Sequence, residues 1–499
     1  MHDLTYLGDI VRREPADHVM ITDLRDPVHP RDWTIGELRA EVAAIARGLL
    51  RAGYAPGERI AIVAENRAEF YAAYLGIMSA GLVAVPVNHR LPRDIVAFVF
   101  EDAGIRAAFV DRPRRALLPA ETPAYDMDDD WAHLRNPGPF SAVSPAPGEV
   151  AKILYTSGST GRPKGVPLAH HGQLWAISKS WTGDAAALAE RSIIVAPAYH
   201  KNGLFFSSVA LSNGISFISL PRFEARAYLE TVAAHRCTLL SGIPTMFALM
   251  AREHDLLARL DLSSVRTITI GSAPLTDALI RRVQEIFPNA TCQNGYGTTE
   301  AGPAVFGPHP GGIPRPAISL GYPHADAEVR LVGGETPDEG VLQMRTPALM
   351  EGYLHLPALT AQRVVDGWYD SGDVMRRDAD GFYYFMGRAD DMFICGGENV
   401  YPGEVEKLLE RCPGVAQAAV VSVPDEIKGE IPVAFVVRSP GSDVDERGVK
   451  EYALREGPAY AHPRFVIFRD AIPVASTHKV DRVTLTEVAR EHARAHGRV

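Results

Sequence analysis

The chain has 499 residues, of which 46% are hydrophobic and 22% charged, and its formal net charge is −10. This composition is typical of a folded globular protein, and the length predicts about three compact units. The acidic balance argues against nonspecific nucleic-acid binding, because a polyanion would be repelled. The four cysteines show no C-x-x-C spacing, so we expect neither a disulfide framework nor a zinc site. Free thiols fit a cytoplasmic location.

The first two thirds of the chain alternate between predicted strands and helices. The N-terminus lacks a basic region followed by an apolar core, so no signal peptide is expected. The most apolar stretch, 72–87, is too short and too interrupted by glycine and proline to span a bilayer. Strands are predicted at 59–64, 82–87, 106–110, 150–155, 192–196, 215–220, 237–241 and 265–270, and helices from 69 and at 225–235, 245–256 and 277–287. This alternation predicts parallel βαβ layers.

From about residue 325 the pattern changes to short strands separated by Gly/Pro turns. Strands at 327–332, 340–344 and 381–386 predict a more antiparallel, barrel-like portion. A polar turn at 387–391 predicts a domain boundary. We therefore expect an α/β protein with a large N-terminal domain, 1–388, and a small α+β C-terminal domain, 389–499.

The segment 155–165, YTSGSTGRPKG, predicts a phosphate-binding loop after a strand. Glycines let backbone N–H groups approach an anion, hydroxyl groups add donors, and Lys164 adds a positive charge. The loop is not a Walker A motif, because Arg162 and Pro163 separate the last glycine from the lysine.

Five further segments follow in an order that resembles one enzyme superfamily. They are NGYGTTEAG (294–302), YDSGD (369–373), GRADD (387–391), CGGENVYP (395–402) and PVASTHKVDR (473–482). Together with the first loop they resemble the acyl-adenylate-forming superfamily, which includes acyl-CoA synthetases, peptide-synthetase adenylation domains and firefly-type luciferases. The resemblance covers nearly the whole chain and favours the acyl-/aryl-CoA ligase branch.

The resemblance implies a two-step ligase that uses ATP, CoA and Mg²⁺. A carboxylate would attack the α-phosphate of ATP, and catalysis of this step is mostly positioning and neutralisation of charge. Thr299 would contact the α-phosphate, Glu300 would hold Mg²⁺, and Tyr296 would stack on adenine. Asp373 and Arg388 would bind the ribose.

The ATP-binding set that the resemblance implies spans several motifs. It consists of Thr156, Ser157, Gly158, Ser159, Thr160, Gly161, Lys164, Ser272, Ala273, Pro274, Asn294, Gly295, Tyr296, Gly297, Thr298, Thr299, Asp373, Arg388 and Lys479. Lys479 would also stabilise the adenylation transition state as a catalytic residue, with Thr299 and His200. Because Lys479 lies on the small domain, a rotation about Asp390 would deliver and remove it.

The segment 197–203, PAYHKNG, aligns with the part of the superfamily that closes the acyl pocket. It lacks the aspartate that would pair with an α-ammonium group, which disfavours an amino-acid substrate. The predicted acid pocket is His200, Lys201, Asn202, Gly271, Gly295 and Gly302. A slot walled by backbone favours an aromatic, hydroxyaromatic or small polar acid. The CoA candidates are Arg90, Gly396, Gly397, Glu398 and Arg464.

Several alternatives stay open at this point. A medium-chain fatty acyl-CoA synthetase and a luciferase-like oxidoreductase would share the same motifs. A nucleotide-binding protein without activity is a third reading, because His478 replaces the glycine that usually precedes the lysine. A NAD-dependent dehydrogenase is disfavoured, since no G-x-G-x-x-G motif joins a strand to a helix. We expect only small-molecule partners, with no nucleic acid and no membrane; a homodimer is left open.

Overall fold

The computed structural model of the protein describes residues 6–128, 131–146, 148–156, 162–180, 185–396, 398–425, 427–474 and 480–496. The helices, in chain order, are α1 (Ile35–Arg51), α2 (Ala68–Ser79), α3 (Arg93–Asp102), α4 (Trp131–Leu134), α5 (His170–Ser178), α6 (Lys201–Asn213), α7 (Ala225–Ala234), α8 (Pro244–Met250), α9 (His254–Leu257), α10 (Asp277–Ile286), α11 (Pro357–Arg363), α12 (Pro402–Leu409), α13 (Glu446–Glu456) and α14 (Arg482–Ala495). Within these described ranges, no helix has the length and apolar character needed to cross a membrane.

The strands, in chain order, are β1 (Val19–Asp23), β2 (Arg31–Thr34), β3 (Arg59–Val63), β4 (Val83–Pro86), β5 (Ile105–Val110), β6 (Ala124–Asp126), β7 (Val150–Thr156), β8 (Lys164–Ala169), β9 (Arg191–Ile194), β10 (Ser216–Ser219), β11 (Leu239–Gly242), β12 (Thr267–Gly271), β13 (Thr291–Gly295), β14 (Phe306–Gly307), β15 (Tyr322–Pro323), β16 (Glu328–Gly333), β17 (Glu339–Arg345), β18 (Val364–Val365), β19 (Trp368–Arg377), β20 (Tyr383–Arg388), β21 (Phe393–Cys395), β22 (Glu398–Val400), β23 (Val415–Asp425), β24 (Gly429–Arg438) and β25 (Phe465–Phe468).

Two mostly parallel sheets form the body of the large domain. One has the order β6-β5-β3-β4-β7-β8 and the other β13-β12-β11-β9-β10-β1-β2. Helix α2 contacts β3 and β4 of the first sheet and β1 of the second, and all its residues are buried. A helix that is apolar on every side is expected to lie in a protein interior. The predicted parallel βαβ layers are therefore confirmed.

The region after residue 325 forms a third, antiparallel sheet. Its order is β16-β17-β19-β18, and β20 also pairs with β19. The barrel-like portion is thus an open five-stranded sheet in the described residues, and its strands do not close into a barrel. The pairing of β19 with β20 is important for the site, because it aligns Asp373 with Arg388.

The small domain has a sheet and a hydrophobic core of its own. The sheet order is β22-β21-β24-β23, with β25 parallel to β24. Apolar residues from Phe393 to Ala493 form one buried cluster that contains no residue of the large domain. The predicted fold class, a large α/β domain followed by a small α+β domain, is confirmed. The precise boundary at 388/389 stays a prediction.

Candidate functional site

A cavity of about 1520 Å³ lies between the two domains. Its large-domain wall includes the residues that follow β12 and β13, namely 272–276 and 296–300. These strands are parallel, so their carboxyl ends meet at one edge of the sheet, which is where ligands bind in open α/β sheets. The small-domain wall includes residues of α12 and the segment 480–483.

Most of the residues predicted from sequence line this cavity. They are Arg90, Thr156, Lys164, His200, Lys201, Asn202, Ser272, Ala273, Pro274, Asn294, Gly295, Tyr296, Gly297, Thr298, Thr299, Glu300, Asp373, Arg388 and Asp390. Ser157, Gly158, Ser159, Thr160, Gly161, Gly397 and Lys479 lie outside the described residues. Val480, which follows the predicted catalytic lysine, does line the cavity.

Strands β7 and β8 form a hairpin that holds the two ends of the predicted phosphate loop. Thr156, the last residue of β7, pairs with Lys164, the first residue of β8. The Lys164 ammonium lies 5.8 Å from the centroid of the Tyr353 ring. The sequence analysis predicted the strand before the loop but not the strand after it. The hairpin fixes a cationic side chain at the mouth of the loop.

Asp373 is the centre of a hydrogen-bonded cluster on the cavity wall. It is 7% exposed, and its Oδ1 accepts a hydrogen bond from Nη1 of Arg388 at 3.0 Å. The Tyr296 hydroxyl donates to Oδ2 of Asp373 at 2.5 Å. Burial, together with the nearby carboxylate, raises the pKa of Tyr296 well above its ordinary value. The three side chains therefore fix one another's orientation before any ligand binds.

The predicted hinge residue is tied to this cluster. Arg388 donates from Nε and Nη2 to the two carboxylate oxygens of Asp390, at 2.8 and 2.9 Å. These hydrogen bonds lower the pKa of Asp390. A bidentate pair of this kind has a defined geometry as well as a favourable energy. The residue at which we expect the domains to rotate is thus held by a residue of the cavity wall.

Glu300 lies beside two phenol groups at the floor of the cavity. The Tyr353 hydroxyl donates to Oε1 of Glu300 at 2.9 Å. Burial and the carboxylate of Glu300 both raise the pKa of Tyr353 and that of Tyr369. Over the described ranges, no cluster of three or more His, Cys, Asp or Glu side chains could hold a metal by itself. Glu300 can therefore supply only part of a coordination sphere.

The predicted acid pocket gathers around the start of α6. His200 is the N-cap residue of this helix, and its ring contacts that of Tyr199 in a tilted arrangement, with centroids 4.6 Å apart. Lys201 donates from Nζ to the Gly297 carbonyl oxygen. Asn202 donates from Nδ2 to the Ser272 hydroxyl at 3.3 Å. Oδ1 of Asn202 is buried and has no hydrogen-bond partner among the described residues.

Two residues assigned to the acid pocket are not on its wall. Gly271 ends β12 against the neighbouring strand, and a Cβ there would lie 2.5 Å from the carbonyl oxygen of Gly295. Gly302 has φ +102°, and a Cβ would lie 2.8 Å from Cβ of Ala348. Neither glycine is among the residues that line the cavity, and their place in the acid pocket stays a prediction. Close packing accounts for glycine at both positions, and at Gly302 the left-handed backbone does so as well.

The CoA candidates divide into two groups. Arg90 lines the cavity, whereas Gly396, Glu398 and Arg464 do not. Gly396 has φ +65° in the turn that connects β21 to β22, and the Arg464 guanidinium contacts the ring of His462. In this arrangement, therefore, the segment after Lys479 faces the cavity and the β21–β22 hairpin lies elsewhere.

Several cavity residues had no sequence signal that identified them. They are Tyr353, Arg363, Lys407 and Glu410. Glu410, just after α12, accepts a hydrogen bond from the Ala418 N–H at 3.1 Å, and burial raises its pKa to about 7. Such residues reach the site only through tertiary packing, so a motif search does not find them.

Comparison with known proteins assigns the chain to a family. A model described as AMP-binding enzyme matches residues 9–354, and one described as AMP-binding enzyme C-terminal domain matches residues 404–479. The chain belongs to the AMP-binding enzyme family. The predicted resemblance to the acyl-adenylate-forming superfamily is thereby confirmed.

Curated relatives and solved structures agree with this assignment. A feruloyl-CoA synthase from Amycolatopsis sp is 34% identical over 461 residues, which cover 90% of this chain and 92% of the relative. A long-chain-fatty-acid–CoA ligase from Mycobacterium tuberculosis is 30% identical over 473 residues, covering 91% and 92%. The crystal structure of the anthranilate CoA ligase AuaEII in complex with anthranoyl-AMP superposes with a TM-score of 0.87 at 26% identity, covering 99% of each chain.

Proposed function

We propose that the protein is an ATP-dependent acid–CoA ligase. In the first step a carboxylic acid and ATP give an acyl-adenylate and diphosphate, and in the second the CoA thiol displaces AMP to give acyl-CoA. The observation that carries the proposal is the single cavity that joins Lys164, Glu300 and the Asp373–Arg388 pair to the residue after Lys479. The relatives named as CoA ligases support the same reaction.

The nucleotide would bind along the wall that Asp373 organises. The Asp373 carboxylate can accept hydrogen bonds from both ribose hydroxyls, while Arg388 holds its orientation. Tyr296, held by its hydroxyl, would present its ring to adenine. Thr156 and Lys164 would face the β- and γ-phosphates, together with the loop residues that lie outside the described ranges.

Mg²⁺ fits this site as an ion that arrives with the nucleotide. Mg²⁺ prefers oxygen ligands and commonly takes one or two carboxylates, substrate phosphates and water. Glu300 supplies one carboxylate, whose position is fixed by Tyr353 at 2.9 Å. The ion would neutralise phosphate charge. The protein's own part is to hold Glu300 next to Thr299, which we propose contacts the α-phosphate.

Lys479 would bridge the substrate carboxylate and the α-phosphate during the first step. Its part rests on the sequence motif and on Val480, which lines the cavity. His200, the N-cap residue of α6, lines the cavity beside Tyr199 and would separate the carboxylate from the entry route of the thiol. The second step would need a different domain arrangement. Rotation about Asp390 would then bring Gly396, Gly397 and Glu398 to the cavity, with Arg90 and Arg464 binding CoA phosphates.

We propose that the acid is aromatic, hydroxyaromatic or small and polar. Asn202 Oδ1 is a buried acceptor on the cavity wall, and a hydroxyl or amino group on the acid would satisfy it. Apolar residues of the same cavity, Phe223, Ile243 and Met246, suit a ring or a short chain. Two of the three relatives described above are named for aromatic acids, feruloyl and anthranilate. A medium-chain fatty acid is the alternative, supported by the long-chain ligase.

Two further proposals concern the protein in the cell. The four cysteines are free and buried, which fits a reducing cytoplasm. A homodimer also stays a proposal.

The test is acid-dependent diphosphate release from ATP and Mg²⁺ by the purified protein. Aromatic, hydroxyaromatic, dicarboxylic and C2 to C12 acids would each be run with and without CoA, beside Lys479→Ala. We expect release with one acid class, loss of at least about 100-fold in the variant, and thioester only when CoA is present. Tight ATP binding without release for any acid would contradict the proposal, and oxygen uptake in place of CoA dependence would indicate an oxidoreductase.

A further inference from the structure

Helix α12 of the small domain forms a direct hydrogen bond to the large domain. Lys407 donates from Nζ to the carbonyl oxygen of Phe385 at 2.8 Å. Phe385 lies on β20, the strand that ends at Arg388, so this bond joins the nucleotide wall to the small domain. Burial lowers the pKa of Lys407. Removing an ammonium group from water is costly, and the carbonyl oxygen provides a partner that offsets part of this cost.

The residue before Lys407 on α12, Glu406, forms an ion pair with the segment 480–483 that follows Lys479, which we call the lysine segment. Glu406 is 7% exposed, and its Oε1 pairs with Nη1 of Arg482 at 2.8 Å. The same carboxylate oxygen accepts a hydrogen bond from the Val420 N–H at 2.8 Å, and Arg482 donates to the Val420 carbonyl at 2.6 Å. Arg482 is the first residue of α14 and follows Lys479 by three positions. The two backbone hydrogen bonds to Val420 restrict the geometry of this pair.

The two bonds differ in how a domain rotation would affect them. Lys407 and Phe385 lie on opposite sides of Asp390, so a rotation about that residue would separate them. Glu406 and Arg482 both belong to the small domain and would move together. Helix α12 therefore carries both contacts. The Lys407–Phe385 hydrogen bond depends on the domain arrangement, whereas the Glu406–Arg482 pair stays with the lysine segment.

We infer that Lys407 is a positioning residue for the adenylation step, and that it acts by holding α12, and through Glu406 and Arg482 the lysine segment, against the cavity. This inference rests on the proposed two-step function. Lys407 has no role in the second step, because its bond to Phe385 is broken when the small domain has rotated. Its removal should therefore affect the two half-reactions unequally.

The experiment compares Lys407→Met with Lys450→Met in the full-length protein. Lys450 is a matched control, because it lies on α13 and pairs with Glu446 inside the small domain. The first half-reaction is followed as acid-dependent exchange of diphosphate into ATP, and the second as thioester formation from supplied acyl-adenylate and CoA. We expect Lys407→Met to lose about tenfold in the first and to stay within about twofold in the second, since it removes one hydrogen bond from a charged donor.

A second readout measures the domain arrangement without catalysis. Spin labels on cysteines introduced at Val28 and Ile427, which are 76% and 89% exposed, report the distance between the domains. The four native cysteines are buried. With ATP bound, Lys407→Met should broaden or shift the distance distribution relative to wild type and Lys450→Met.

Equal loss in both half-reactions, or an unchanged distance distribution, would overturn the role of Lys407. If wild type shows no exchange with any acid, the proposed function fails, and the distance distribution alone then decides whether Lys407 holds the domains together.

Discussion

The proposed nucleotide end and the proposed acid end of the cavity are built differently. At the nucleotide end, Asp373 already holds Arg388 and Tyr296, and Glu300 already holds Tyr353. At the acid end, Oδ1 of Asn202 has no hydrogen-bond partner in the described part of the chain. The first is a preorganised wall for the proposed nucleotide. The second leaves a polar group for the substrate to satisfy, so we expect the two ends to respond differently to substitution.

The largest expected effect is at the nucleotide end. Asp373→Ala removes the proposed acceptor of both ribose hydroxyls and leaves Arg388 and Tyr296 without their carboxylate. We expect kcat/KM for ATP to fall by about 100-fold or more, because each hydrogen bond to a charged group is worth about tenfold. Steady-state kinetics with ATP as the varied substrate checks this. Asp338→Ala, an exposed carboxylate paired with Arg377, is the control and should match wild type.

If Asp373→Ala changed kcat/KM for the acid and left that for ATP intact, the division into two ends would be wrong.

A smaller and selective effect is expected at the acid end. Asn202→Ala should lower kcat/KM about tenfold for an acid that carries a hydroxyl or amino group, because the substrate group loses its acceptor. The ring analogue without that group should react as well as with wild type, and KM for ATP should not change. Pairs of matched acids measured with both proteins test this. An equal loss of kcat/KM for both acids would mean that Asn202 supports the fold of α6 and does not recognise the substrate group.

How far the sequence alone predicted this site depends on the kind of contact. The motifs predicted Lys164, Glu300 and Asp373 as site residues, and all three line one cavity. The bond between Asp373 and Arg388 follows from the pairing of β19 with β20, which no local pattern specified. A motif is a short run of neighbouring residues and can be recognised in the sequence. A contact between two motifs, such as Asp373 with Arg388, depends on how the strands pack in the fold.

Other residues show where sequence patterns mislead. The helix predicted at 245–256 is divided into α8 and α9, because the chain turns at 251–253. Gly271 and Gly302 suggested a slot for the substrate, whereas packing against Gly295 and Ala348 by itself accounts for glycine at the two positions. Lys407 gave no signal because its partner is a backbone carbonyl 22 positions away in the other domain.

The smallest expected effect is a change in thermal stability at Glu410, which lines the cavity between the two domains. Burial raises the pKa of Glu410 from 4.5 to about 7. The folded protein thus holds this proton more tightly than the unfolded chain, so the stabilisation is fully present below about pH 4.5 and is lost as the pH rises through about 7. Glu410→Gln stays neutral, so its Tm should exceed that of wild type by up to about 5 °C at pH 8.5, with little difference at pH 5.

Thermal unfolding of wild type, Glu410→Gln and the exposed control Glu451→Gln between pH 5 and 8.5 measures this difference. Parallel Tm curves for all three proteins would contradict the raised pKa.

The central claim, that an acyl-adenylate precedes the thioester, is tested most directly by following oxygen atoms. The acid, once its class is known, is supplied with ¹⁸O in both carboxylate positions, and the AMP formed in the presence of CoA is analysed by mass spectrometry. Attack of the carboxylate on the α-phosphate followed by thiol displacement leaves one carboxylate oxygen on phosphorus. We therefore predict one ¹⁸O in each AMP. AMP without ¹⁸O, or label in inorganic phosphate, would contradict the account.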